Sequence, residues 1–125
     1  MSASISQNPW ALLSDSQRQQ QRQLLMDMLP YYQKIAVYDP DKVFIEANME
    51  SCLRIALAGK AVMKQHAADV KPEDAIFSDE LFRAYIGEAW TSFFDREDQL
   101  FLNAHLTEAA ECFRMGFMLA DLPEM

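Results

Sequence analysis

The chain has 125 residues, half of them apolar and 11% aromatic, which is enough for one hydrophobic core without disulfides or a metal. Charged residues at 24% exclude a disordered chain, and three glycines with five prolines are too few turn formers for a β-sandwich or barrel. The net charge of −8 is uneven, with seven Lys/Arg against six Asp/Glu over 1–68 and four against thirteen over 69–125; so acidic a second half repels phosphate backbones, excludes direct nucleic-acid binding and attracts basic partners.

Residues 1–13 are rich in Ser, Asn and Gln and show no periodicity, which predicts a mobile N-terminal tail ahead of a single domain over 14–125. Within that tail Trp10, Leu12 and Leu13 form an apolar patch expected to dock on the domain or on a partner. The opening residues carry neither a basic run nor an apolar stretch, and no apolar run reaches the ~20 residues of a membrane span. A cytoplasmic location, reduced thiols and no membrane contact are therefore expected.

The first helix starts near Ser14, where Ser14 and Gln17 match a capping box. Leu24, Leu25, Met28 and Leu29 form its apolar stripe. Pro30 is expected to end or kink it, because proline lacks the amide donor and disfavours helical geometry at Leu29. Residues 31–38 read as a further helical turn, since no second strand lies nearby to pair with them.

Asp39-Pro40 is the start signal of a second helix running to about Ala68. Its apolar residues cover more than half its circumference, which places it at the centre of the bundle. Gly59 interrupts it and marks the close approach of another helix. Glu50, one turn before Arg54, predicts a solvated ion pair.

Residues 69–77 read as a loop, after which Ser78 caps a third helix with the stripe Leu81, Phe82, Tyr85, Ile86, Ala89, Trp90, Phe93 and Phe94. Trp90, in the middle of that stripe, is expected to be buried. Asp95 and Asp98 resemble a capping box that opens a fourth helix ending near Asp121. Gly116 in this last helix again admits a neighbour, and Cys52 and Cys112 fall on apolar faces that bury them. The fold class is all-α: a compact bundle of about four to five helices whose short connections make consecutive helices antiparallel neighbours.

Catalytic signatures are missing from the sequence. There is no glycine-rich phosphate loop, no nucleophile elbow and no Cys-x-x-Cys pair. His105, Glu108 and Glu111 are spaced by three, but the order reverses the Glu-x-x-His of di-iron bundles, and His66 has no glutamate near it in sequence. A surface hydrogen bond between His105 and Glu108 is expected instead. Neither metal nor cofactor nor catalytic activity is implied.

What remains is a small acidic, non-enzymatic binding domain that inhibits or regulates a basic protein partner. Its candidate docking carboxylates are Glu73, Asp74, Asp79, Glu80, Asp95, Glu97 and Asp98. The two acidic segments lie at opposite ends of the third helix, roughly 25 Å apart at 1.5 Å per residue, so they would make two separate contacts. In class the chain resembles toxin-neutralising immunity proteins and phage-borne inhibitors. The alternatives are a homodimer with a third-helix or fourth-helix seam and a bundle holding a small-ligand pocket.

Overall fold

The computed structural model describes residues 8–35 and 41–120. Among them every regular element is helical: a 3₁₀ turn, Pro9–Leu12, precedes α1 (Asp15–Ile35), α2 (Lys42–Ala47), α3 (Met49–Gln65), α4 (Pro72–Ile76), α5 (Asp79–Ser92), α6 (Arg96–Ala104) and α7 (Leu106–Leu119). The all-α class is correct, and four to five helices is an undercount.

Local chemistry explains the difference. Asn48 leaves helical geometry at φ −126°, ψ 37° and donates its side-chain amide to the Phe44 carbonyl, so the second helix splits into α2 and α3. His105, at φ −132°, ψ 52°, splits the fourth into α6 and α7. Pro72 opens the short α4 inside the expected loop, at a position where proline's missing amide is harmless. Pro30 does not end α1: the helix continues to Ile35, with the proline on its exposed side. The expected start at Asp39-Pro40 lies outside the described residues; Asp41 caps α2 there by accepting from the Val43 amide.

Helices α3 and α7 form the main pairing, although residues 66–105, about a third of the chain, separate them in sequence. Consecutive helices were expected as antiparallel neighbours, and the main pairing instead joins two that are not consecutive. Glycine is the reason. A Cβ built on Gly116 would collide with the Ala56 carbonyl oxygen, and one on Gly59 with that of Phe113. Each helix thus presses backbone against the other's glycine, which no larger residue permits. Nine residues of α3 and eight of α7 are buried, including the free Cys52 and Cys112.

The segment 8–13, expected in a mobile tail, is folded onto α3. Trp10 is 4% exposed, and the guanidinium groups of Arg18 and Arg22 lie over its ring at 4.6 and 5.4 Å. Asn8 fixes the turn: its Oδ1 accepts from the Trp10 amide and its Nδ2 donates to the Arg54 carbonyl. Ser14 and Gln17 then cap α1 reciprocally, as expected. By contrast, the third-helix stripe is only partly covered. Tyr85, Ala89 and Phe94 are buried, whereas Trp90 is half-buried rather than buried.

Candidate functional site

The short α4 and the start of α5 place four of the seven candidate carboxylates at one corner. Glu73 and Asp74 occupy the first turn of α4, and Asp79 and Glu80 the first turn of α5; all four are exposed. Both positions suit the partial positive charge of a helix N-terminus. Ser78 caps α5 by accepting from the Leu81 amide, so only Phe77 and Ser78 separate the two helices. The tight turn leaves Phe77 60% exposed. Glu73 and Asp74 precede it by one helical turn and share its side of α4. Asp79 meets Arg114 at 3.4 Å, but its side chain is 82% exposed, so the pair is a weak surface contact.

Around Asp95 and Asp98 the arrangement is different. The two residues form the expected capping box, each accepting from the other's backbone amide. Their carboxylates also hold Arg54: its Nε and Nη2 reach the two oxygens of Asp98, and Nη2 reaches Asp95, all at 2.8 Å. Asp98 is 3% exposed. The two-pronged geometry makes these strong charge-assisted bonds, and Arg54 turns to α6 rather than to Glu50. Burial alone would raise the Asp95 carboxyl, but the Asp98 amide and Arg54 together hold it below the usual carboxylate range. Only Glu97 of this group stays exposed.

A second buried charge was not anticipated. Glu111, 2% exposed, accepts from the Tyr32 hydroxyl at 2.9 Å and from Arg114 at 2.9 Å. Burial first, and the Glu111 charge second, push the Tyr32 phenol far above its ordinary range. Both Glu111 oxygens are engaged, so the cluster ties α1 to α7 and offers no open acid or base. Its i,i+3 spacing to Arg114 was readable in sequence; its long-range partner Tyr32 was not.

The histidines are placed against aromatic rings. His105 lies 5.0 Å from both Phe44 and Phe101, in place of the expected bond to Glu108. His66 stacks on Tyr85 and meets Glu88 at 2.8 Å, a glutamate one helix away rather than a sequence neighbour. Among the described residues no three His, Cys, Asp or Glu side chains are placed to hold a metal ion. No described helix is long and apolar enough to cross a membrane.

Two shallow apolar grooves mark the surface. One, of about 330 Å³, runs between α5 and the α6–α7 junction and includes Phe82, Ile86, Trp90 and Leu106. The other, of about 350 Å³, lies between α1 and α7 against Leu24, Met28, Tyr31 and Met118. Compared with known proteins, the chain matches no family model, no curated protein and no solved structure.

Proposed function

We propose that this chain is a non-enzymatic protein-binding module that docks on a basic partner through the α4–α5 corner and thereby inhibits or regulates it. The observation that supports this is Phe77, exposed to 60% and bordered in sequence by Glu73, Asp74, Asp79 and Glu80. Helix capping accounts for acids at these positions but not for an exposed phenylalanine. An aromatic ring with a charged rim is the usual make-up of an interface centre. Glu97 remains available for a second contact, whereas Asp95 and Asp98 act through Arg54 inside the fold.

Site-specific photocrosslinking in the native host tests this directly. A benzoyl-phenylalanine at position 77 should capture one basic protein, and the same group at Val43, more exposed still but remote in sequence from these acids, should not. Replacing Glu73, Asp74 and Glu80 by their amides should slow association at low salt. Equal capture at both positions, or association indifferent to salt and to the amides, would refute the docking role. A second reading, a symmetric homodimer, is favoured by the half-covered α5 stripe beside the Trp90 groove. Sedimentation equilibrium of wild type and Ile86→Glu distinguishes it, because only a dimer on this face would be lost in the variant.

A further inference from the structure

With about 3.6 residues per turn, Asp79, Arg83, Ile86, Gly87 and Trp90 fall on one side of α5. The last four line the groove beside the α6–α7 junction. Ile86 and Trp90 are half-buried, whereas Arg83 and Gly87 are exposed. A Cβ on Gly87 would meet nothing within 4 Å, so the backbone is open to a close neighbour there. Among the described residues Arg83 has neither a hydrogen bond nor an ion pair. No described cation covers the Trp90 ring either, although the rings of Trp10, Tyr31 and Phe82 each carry one. Within one chain the two groups do not meet: two helical turns, about 10.5 Å, separate them. They do stand symmetrically about the Ile86–Gly87 junction. A two-fold axis through that junction would lay each Arg83 over Trp90 of an antiparallel α5, and each Ile86 over the opposite Gly87.

We infer that α5 pairs antiparallel with α5 of a second copy of this chain, with Arg83 over the second copy's Trp90 on each side of the axis and Ile86 seated on its Gly87. This rests on the homodimer reading above and gives it a register. Complementarity selects the occupant, because one copy supplies the cation that the other copy's indole lacks, at the spacing a two-fold axis requires. The net charge of −8 is not concentrated on this stripe. Asp79 and Arg83 balance on it, and Glu88 is turned to His66. Orientation follows from the acidic corners at the start of α5. An antiparallel pair holds the two corners about 21 Å apart, the length of a 14-residue helix, whereas a parallel pair would set their like charges side by side. Two such helices bury less than the ~1,200 Å² of a permanent dimer, so association in the micromolar range is expected.

Sedimentation equilibrium of the full chain, carried to millimolar concentration, tests the register. Wild type should dimerise. Arg83→Glu should weaken the dimer at least tenfold, since each dimer contains the pair twice. Trp90→Lys should weaken it as much, by setting a cation against a cation. The double variant Arg83→Glu/Trp90→Lys should associate more tightly than either single variant, because opposite charges then face each other across the axis. Arg83 is exposed, so Arg83→Glu keeps the fold and decides alone if Trp90→Lys loses its helical circular dichroism. A wild type that stays monomeric overturns the homodimer reading together with the register. A dimer lost in Ile86→Glu but unmoved by Arg83→Glu, or a double variant no tighter than the singles, overturns the register and leaves the homodimer reading standing.

Discussion

Alanine placed at each of the three glycines separates helix propensity from helix packing within one molecule. In an exposed helix interior Gly→Ala stabilises by up to about 1 kcal/mol. Gly87 offers that case, because it is exposed on α5 and a Cβ there would meet nothing within 4 Å. Gly87→Ala should therefore stabilise by about 0.5–1 kcal/mol. At Gly116 the same methyl would strike the Ala56 carbonyl oxygen, with Ala56 C and Lys60 N each 2.9 Å away. All three atoms are backbone of α3, so no side chain can swing aside. Non-bonded carbons settle near 3.5–4.0 Å, so α7 has to retreat by about 1 Å, loosening Phe113 and Phe117 with it. Overpacking of this kind exceeds the propensity gain, and Gly116→Ala should destabilise by about 2–4 kcal/mol net. Gly59→Ala meets the Phe113 carbonyl, with Phe113 C at 3.2 Å and Cδ1 at 3.4 Å, and should lose a comparable amount. The double variant should lose less than the sum, because one displacement relieves both clashes. Urea unfolding followed by far-ultraviolet circular dichroism, with unchanged m, measures all four. Gly116→Ala within about 0.5 kcal/mol of wild type would refute the close crossing of α3 and α7.

Other perturbations address the ionic and thiol chemistry. Asp98→Asn removes the buried charge that both Arg54 nitrogens share, and should destabilise by about 3 kcal/mol or more in the same assay. The Asp95 carboxyl titrates lower in the fold than in the unfolded chain, so its contribution is complete above the ordinary carboxylate range and is lost as pH falls through the folded value. Acid titration of the Asp95→Asn variant should accordingly show a shallower loss of stability below about pH 4 than wild type. Cys112 is held well above the ordinary thiol range by its hydrogen bond with Cys52 and then by burial, and both thiols are fully buried. Ellman's reagent should find them unreactive in the native protein and both reactive once urea unfolds it. Phe77→Ser should leave stability within about 0.5 kcal/mol, since the ring is exposed; a larger loss would make it a core residue rather than a docking one.

Features with local causes were legible in the sequence. The Ser14–Gln17 and Asp95–Asp98 capping boxes and the Ser78 cap follow from residues within one or two turns, and Gly59 and Gly116 marked close approaches without showing which helix makes them. What escaped depends on partners far along the chain. Glu50 was the nearest acid to Arg54, but Asp98, 44 residues away, holds it. Trp90 sits in a clean stripe, yet α5 has too few neighbours to cover that stripe, a matter of helix placement rather than periodicity. Trp10 was legible as an apolar patch, but its burial depends on Arg18 and Arg22 closing over it from α1. Of the candidate carboxylates, charge counting identified the corner around Glu73 and Glu80. It could not separate those exposed acids from Asp98, because composition carries no information about burial.

The α3–α7 crossing also sets the kinetic character of the chain. Helical proteins built from sequential hairpins fold fast because their contacts are local. Here the densest packing joins segments with about a third of the chain between them, and the Tyr32–Glu111 tie spans 79 residues. Loop closure over such distances has to precede the reward from burial. The protein should therefore refold more slowly than a sequential up-and-down helical bundle of its length. Until α7 is in place, the apolar surface of α3 stands open to solvent, and an emerging or truncated chain ending before Leu106 would leave uncovered the described helix that buries the most residues.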